Sequence, residues 1–163
     1  MEPLRVLLVE DNPGDILLIR EFLGENSDCR IDTVPTLGEA IRIMEAERFD
    51  VVLLDLNLPD SSGLETVQRL VSHFPETAIL VLTCQADERI AARAIRYGAQ
   101  DYLDKCYISP RWLGRAIANA IERKRAEQRK NGLLADLTAA LEEVEMLRKM
   151  VPVCMGCRRI NQG

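Results

Sequence analysis

The segment "VVLLDLNLPDSSGLE", Val51 to Glu65, decides the fold, because a run of four aliphatic residues ends there on the carboxylate of Asp55. The run shows no alternation of apolar and polar side chains, which indicates a strand that is buried on both faces. Strands of this kind belong to parallel sheets that are covered by helices. The segment therefore predicts a parallel sheet that holds an acidic side chain at the end of one buried strand.

Similar aliphatic runs recur along the chain and alternate with helical patterns. Residues 6–9 and 79–82 form two further runs, and residues 29–34 and 101–104 are weaker strand candidates. Apolar residues with helical spacing lie between these strands. A strand–helix order that repeats five times predicts an α/β fold, namely a doubly wound five-stranded parallel sheet with helices on both faces.

Several residues are predicted to mark the ends of these helices. Thr36 with Glu39, and Ser62 with Glu65, have the spacing of a capping box, so each pair is expected to open a helix. Gly98 is expected to end the fourth helix, because glycine readily adopts the left-handed conformation that closes many helices.

The fifth helical pattern is much longer than the others. It opens at Ser109-Pro110, a helix-capping serine followed by proline at the first helical position, and continues to Met150. Asn131-Gly132 lies in its middle, and glycine costs a helix about 1 kcal/mol relative to alanine. Two alternatives follow, a long continuous or bent helix and a second helix that folds back, and the pattern favours the first.

The second part of this long pattern carries an apolar stripe. Its residues are spaced close to the a and d positions of a coiled coil, and such a stripe needs a partner. Residues from about 125 to 150 are therefore predicted to form a parallel homodimer. The stripe consists of Leu134, Leu137, Leu141, Val144 and Leu147.

Composition limits the classes of function. The 163 residues carry a formal net charge of -5, which argues against nonspecific binding of nucleic acid. No apolar run approaches the roughly 18 residues that cross a membrane, and the first residues do not resemble a signal peptide. Five cysteines, an odd number, are read as reduced thiols, so a cytoplasmic location is expected.

Charged and polar residues stand where the predicted strands end. The carboxyl ends of parallel strands share one edge of the sheet, where ligands bind in folds of this class. Clustered carboxylates repel one another and need a counter-charge, which a hard cation such as Mg²⁺ supplies. A lysine ammonium and a hydroxyl at the same edge would suit phosphate oxygens. The residues are Glu10, Asp11, Asp55, Thr83 and Lys105.

The ordered motifs "LLVEDNPGD", "VVLLDLNLPDSSGLE", "VLT" and "YLDK" resemble the receiver domain of two-component response regulators. Each motif alone is weak, but the ordered set is specific, and it covers about residues 4 to 124. The resemblance implies a flavodoxin-like receiver fold in residues 1–124. A helical or coiled-coil extension, 125–150, and a tail, 151–163, would follow.

The resemblance also implies a role for each matching residue. Asp55 would accept a phosphoryl group from a histidine kinase or phosphotransfer protein. Glu10 and Asp11 would bind Mg²⁺ together with Asp55 and the backbone carbonyl of Asn57. Phosphorylation would alter the arrangement of the dimer, and the chain would not be an enzyme. The remaining roles are the switch hydroxyl of Thr83, the phosphate-binding Lys105 and the switch aromatic Tyr102.

Two other functions remain as alternatives. An aspartyl-phosphate hydrolase needs a general acid two residues after its nucleophile, and Asn57 cannot fill that role. A degenerate receiver that acts only as a protein-interaction module is disfavoured by the intact acidic pair, Thr83 and Lys105.

The cysteines raise separate possibilities. Cys106 stands where the family usually has proline, and both Cys84 and Cys106 directly follow predicted site residues. They are interpreted as small packing residues in preference to redox-active thiols. Cys154 and Cys157 have the spacing of half a zinc site, and their segment resembles the start of a cysteine-rich module, but no second pair follows.

Overall fold

The computed structural model describes residues 3–24, 29–84 and 87–150. The predicted tail, 151–163, with its candidate metal ligands Cys154 and Cys157, lies outside the described residues. Within the described part, no helix is both long enough and apolar enough to span a membrane.

The chain alternates strands and helices, and five of its strands form one parallel sheet in the order β2-β1-β3-β6-β7. This architecture confirms the predicted doubly wound fold with a long last helix. The elements are β1 Leu4–Val9, α1 Pro13–Gly24, β2 Cys29–Val34, α2 Leu37–Ala46, β3 Val51–Asp55, β4 Asn57–Leu58, β5 Ser61–Ser62, α3 Leu64–His73, β6 Ala78–Thr83, α4 Glu88–Arg96, β7 Asp101–Asp104 and α5 Pro110–Met150.

The sheet is buried on both faces, as the aliphatic runs predict. Successive side chains of a strand point to opposite faces. Accordingly, Val52 and Leu54 of β3 join a core cluster with residues of α2, α3 and α4. Val51 and Leu53 join a second cluster with residues of α1 and α5. The central strand is therefore held between two apolar layers, and its last residue cannot move independently of them.

Most of the predicted helix ends are found. The Thr36 hydroxyl accepts a hydrogen bond from the Glu39 backbone N–H at 3.2 Å, and α2 begins immediately afterwards. The Ser109 hydroxyl accepts one from the Trp112 N–H at 3.3 Å at the start of α5. Gly98 follows α4 with a φ of 106°, in the left-handed region that favours glycine.

The predicted opening of α3 by Ser62 and Glu65 is wrong. Ser62 pairs with Asn57 in the short antiparallel hairpin of β4 and β5. Gly63 occupies the capping position instead, so no side chain caps the start of α3. The hairpin holds Ser62 in a strand, and its side chain therefore does not cap the helix.

Helix α5 is continuous across Asn131-Gly132, so the alternative in which a second helix folds back is wrong. The cost of one glycine, about 1 kcal/mol, is small for a helix of 41 residues with many good helix formers. The chain divides by compactness into Met1–Arg125 and Ala126–Gly163. The functional division at residue 124 stays a prediction.

Candidate functional site

The register of the sheet brings predicted site residues to the same edge. Val9 of β1 pairs with Leu54 of β3, and Glu10 and Asp55 are the residues that follow this pair. On the other side of β3, Asp55 pairs with Leu82 of β6. Thr83 comes directly after Leu82, so it stands beside the same strand end. Parallel pairing alone therefore gathers residues that are far apart in the sequence.

Lys105 links the acidic groups at this edge. Its ammonium nitrogen lies 3.2 Å from Asp55 Oδ1 and 2.9 Å from Asp15 Oδ2, and it donates a further hydrogen bond to Glu10. The Lys105 side chain is only 8% exposed. A buried ammonium that contacts three carboxylates offsets much of their mutual repulsion.

Burial and pairing shift the pKa values of this cluster. Burial raises the pKa of the Glu10 carboxyl, although hydrogen bonds from Lys105 and the Asn12 N–H oppose the rise. For Lys105, burial acts to lower the pKa, but hydrogen bonds to Glu10 and Asp15 outweigh it and raise the pKa. Lys105 therefore stays protonated across the physiological range and provides a permanent positive charge.

Asp55 is held in place on both of its carboxylate oxygens. Oδ1 faces the Lys105 ammonium, and Oδ2 accepts a hydrogen bond from the Asn57 N–H at 3.3 Å. Only 5% of the residue is exposed. Asp55 is thus a positioned carboxylate, which is the condition a nucleophile has to meet before it attacks an incoming group.

The acidic residues fit a hard divalent cation. One carboxylate oxygen from each of Glu10, Asp11 and Asp55 can be chosen so that all three lie within 4.8 Å of one another. Mg²⁺ takes oxygen ligands at about 2.0–2.1 Å, so ligands on opposite sides of the ion are about 4.2 Å apart. Asp11 is exposed, whereas Glu10 and Asp55 are buried. The cluster therefore opens to solvent on the side of Asp11.

Thr83 and Tyr102 contact each other on neighbouring strands. Thr83 is 2% exposed, and Tyr102 packs in part against the core cluster shared by α2, α3 and α4. Burial raises the pKa of the Tyr102 phenol, and hydrogen bonds with Thr83 and the Asp87 backbone oppose the rise. The tyrosine side chain is therefore turned towards the threonine that stands beside the strand end of Asp55.

The loop after Asp55 is braced by contacts that sequence reasoning missed. The Asp60 carboxylate accepts hydrogen bonds from the backbone N–H groups of Leu37 and Gly38, at 2.9 and 2.8 Å. The Ser61 and Thr66 hydroxyls are 2.8 Å apart. These contacts tie the hairpin to the start of α2 and to α3, so the backbone next to Asp55 is held from two sides.

Asp15 is a further site residue that sequence reasoning missed. It lies in the first turn of α1, four residues after Asp11, and its carboxylate contacts Lys105. Asp11 lies before α1, which begins at Pro13, so no helical spacing in the sequence related Asp15 to the acidic pair.

The interpretation of Cys84 and Cys106 as packing residues is wrong. Both side chains are exposed. Cys106 lies in a short 3-10 helix, Lys105–Tyr107, and its N–H donates to Asp104 Oδ1 at 2.9 Å. The residues at these two positions thus line the outside of the site.

Comparison with known families gives one match over most of the chain. A family model described as the response regulator receiver domain matches residues 6–118. The chain is 34% identical to the cell cycle response regulator CtrA of Brucella ovis over 102 residues, 63% of this chain and 44% of that protein. It is 33% identical to the response regulator protein PilR of Pseudomonas aeruginosa over 103 residues, 62% of this chain and 22% of that protein. The chain thus spans less than half the length of these relatives.

Solved structures of receiver domains share the fold. A response regulator receiver domain protein from Clostridium thermocellum is 28% identical, with a TM-score of 0.66, over 76% of this chain and 98% of that one. A structure described as the BeF3-activated DrrB receiver domain is also 28% identical, with a TM-score of 0.63, over 74% and 98% of the two chains. The similarity covers nearly the whole of both receiver structures.

Proposed function

The chain belongs to the response regulator receiver domain family, and on this premise we propose that it is a phosphorylation-controlled switch whose acceptor is Asp55. The donor would be a histidine kinase or a phosphotransfer protein. One observation carries the proposal, namely the buried carboxylate of Asp55 at a strand end, 3.2 Å from the Lys105 ammonium and beside Glu10 and Asp11.

The proposed transfer is a displacement at phosphorus. An oxygen of Asp55 attacks the phosphorus of a phosphohistidine, the nitrogen–phosphorus bond breaks, and the donor imidazole keeps the electron pair and takes a proton from solvent. An aspartyl phosphate results. Lys105 holds one phosphoryl oxygen as a point charge, and the Thr83 hydroxyl donates a hydrogen bond to another. The chain would be a stoichiometric acceptor rather than a multiple-turnover enzyme.

The acidic residues would hold Mg²⁺. Glu10, Asp11 and Asp55 would supply carboxylate oxygens, and Asn57 its backbone carbonyl. A bound Mg²⁺ would supply the positive charge that lets these carboxylates tolerate an incoming phosphoryl group. The donor set, three carboxylates within 4.8 Å, supports this choice because hard cations prefer oxygen ligands.

Thr83 and Tyr102 would report the phosphorylated state. Their contact supports this role, because a hydroxyl drawn towards a phosphoryl group changes the space and the hydrogen bond offered to Tyr102. Such a movement shifts the equilibrium between two conformations of the receiver only if the two conformations differ in packing. The proposed readout is the arrangement of a homodimer formed through residues 125–150, with residues 1–124 as the receiver.

A parallel homodimer is supported by the apolar stripe of α5. Its five residues are between 52% and 59% exposed in the single chain. Burying one leucine contributes roughly 1.5–3 kcal/mol, so five residues on each of two chains could offset the cost of association. The stripe is Leu134, Leu137, Leu141, Val144 and Leu147.

The decisive experiment is labelling with acetyl phosphate as a small donor. The wild-type chain should take up one phosphoryl group with Mg²⁺ and lose this ability in excess chelator. Asp55→Asn should take up none, and Asp11→Ala should need a higher Mg²⁺ concentration. Asp136→Asn, at an exposed position of α5, is the matched control and should behave as the wild type.

Other outcomes would support the alternatives. Label on Asp55→Asn at the wild-type stoichiometry would refute the acceptor. Continuous release of phosphate over many turnovers would favour a hydrolase. A folded wild-type chain that takes up no label from acetyl phosphate or from a phosphorylated donor protein would favour a degenerate receiver that acts as an interaction module.

A further inference from the structure

We propose that Cys84 and Cys106 form an intramolecular disulfide under oxidising conditions, and that this bond is a second modification site beside the proposed phosphoryl acceptor. Neither thiol takes part in the chemistry proposed for Asp55. Both follow directly on residues that do, because Cys84 succeeds Thr83 and Cys106 succeeds Lys105.

The sheet brings the two cysteines together. Thr83 of β6 pairs with Asp104 of β7, and the two strands end at this pair. Cys84 is the next residue on one strand, and Cys106 is the second residue on the other. Neighbouring strands lie about 4.8 Å apart. The two cysteines are offset by one position at these adjacent strand ends, and disulfides join Cα atoms that are about 4.4–6.8 Å apart.

The side chains are neighbours and are accessible. The Cys84 side chain is among the groups close enough to raise the pKa of the Cys106 thiol, after desolvation and the Asp104 carboxylate. Both cysteines are exposed, so an oxidant in solution reaches them. The 3-10 helix that contains Cys106 is held by the hydrogen bond from its N–H to Asp104, which keeps this thiol close to the end of β6. The two exposed thiols thus stand at the adjacent ends of β6 and β7.

The oxidant would be a hydroperoxide such as hydrogen peroxide. One thiolate attacks a peroxide oxygen, the oxygen–oxygen bond breaks, and a sulfenic acid and water form. The second thiol then attacks this sulfur and displaces water. In sum, two thiols and one hydrogen peroxide give one disulfide and two waters, so the sulfurs are oxidised and the peroxide is reduced.

The reaction is expected to be slow compared with that of specialised redox cysteines. Desolvation and the Asp104 carboxylate raise the pKa of the Cys106 thiol. A thiol with a raised pKa is mostly protonated at neutral pH, and the thiolate is the reactive form. The site would therefore respond to sustained oxidation rather than to brief pulses.

The consequence for signalling rests on the proposed function. The disulfide would tie the residue after Thr83 to the residue after Lys105, and both side chains must adjust around a phosphoryl group on Asp55. A covalent link between their loops restricts that adjustment. The oxidised chain should therefore accept a phosphoryl group several-fold more slowly than the reduced chain.

Peptide mapping tests the bond independently of phosphorylation. The full-length chain is treated with hydrogen peroxide, the remaining thiols are alkylated, and the chain is digested with trypsin. Cys84 and Cys106 fall in separate tryptic peptides, 70–89 and 106–111. The expected result is one linked species of these two peptides, lacking two thiol hydrogens and released by a reducing agent. Its absence from the folded, oxidised chain would overturn the proposal.

Cys84→Ser and Cys106→Ser are the matched variants. Each should abolish the linked species. Under peroxide, each should be phosphorylated as fast as the wild-type chain with free thiols. A wild-type chain that forms the bond but takes up label from acetyl phosphate at an unchanged rate would overturn the regulatory effect. If the reduced chain takes up no label at all, the proposed function fails, whereas the linked peptides still establish the disulfide.

Discussion

The two parts of α5 differ in what surrounds them, although they form one helix. From Pro110 to Arg125 the helix buries apolar side chains such as Leu113 and Ile117 against the sheet. From residue 126 to 150 every residue except the half-buried Gln128 is exposed. Regular backbone thus continues where tertiary packing stops.

The difference shows that helical pattern and helical stability are separate properties. Most helical stability in proteins comes from tertiary packing of an apolar face, because nucleation is unfavourable and each residue adds little. The first part has the core as its source of stability. The second part has an apolar stripe that is exposed within the part of the chain that the structure describes, so its stability should depend on a second copy.

The largest effect is expected in the buried part. Leu113 is fully buried, and Leu113→Ala removes apolar contacts and leaves a cavity. The free energy of unfolding should fall by about 2–5 kcal/mol in urea titrations. Leu141→Ala, in the exposed part, is the control and should change this value by less than about 0.5 kcal/mol at protein concentrations where the chain is monomeric. Equal losses would show that both parts of α5 contribute equally to the stability of the monomer.

The next effect concerns the stripe. Leu137→Asp would place an unpaired charge in the seam of the proposed dimer, so the dissociation constant measured by light scattering should rise at least about tenfold, equivalent to about 1.4 kcal/mol. Ala135→Asp, which is two residues away and outside the stripe, adds the same charge and should leave the dimer intact.

Truncation after Arg125 sharpens the same prediction. The shortened chain should be monomeric at concentrations where the full chain is dimeric. If the shortened chain dimerises equally well, the contact lies in the receiver, and the stripe has another role. A full-length chain that stays monomeric at tens of micromolar would remove the helix as the dimerising element.

A helix can also be held by polar contacts at its end, and α2 is such a case. The backbone N–H groups of Gly38 and Leu37 hold the pKa of the Asp60 carboxyl below its usual value, outweighing the opposite effect of burial. Because the folded pKa is lowered, this stabilisation is complete above the unfolded value, about 3.9, and is lost as pH falls through the folded pKa. Asp60→Asn should cost about 0.5–2 kcal/mol at pH 7.

The pH dependence provides the check on Asp60. The difference in the free energy of unfolding between Asp60→Asn and the wild type should shrink as pH falls below about 3.9, the unfolded value, and should approach zero only below the lowered pKa of the folded carboxyl. A difference that is independent of pH would mean that the carboxylate charge is not what stabilises the start of α2.

The smallest effect comes from two matched glycines of α5. Gly114 and Gly132 are exposed, and a methyl group added to either meets no atom within 4 Å. Gly114→Ala should raise the free energy of unfolding by about 0.5–1 kcal/mol, because it lies in the part that folds with the core. Gly132→Ala should show its gain only in helix content and in dimer affinity. A gain at Gly132 in the unfolding of the monomer would contradict the separation of the two parts.

The sheet and the edge that carries the candidate site could be predicted from the sequence. Buried aliphatic runs appear in the sequence without any knowledge of pairing, and β2 and β7 were predicted with the bounds that the structure has. Parallel strands gather their carboxyl ends at one edge, so Glu10, Asp55 and Thr83 were expected at the same edge of the sheet. Their chemical roles remain proposals.

Which side chains contact one another depends on the folded arrangement of several elements. Lys105 meets Asp15 across 90 positions of the chain, and Asp60 meets the start of α2 across 22 positions. A two-residue strand such as β4 carries no periodic signal. The sequence therefore could not predict that Ser62 lies in a hairpin instead of capping α3. Periodicity reports which face of an element is buried, whereas contacts between loops depend on register and on the ends of several elements at once, and these exist only in the folded chain.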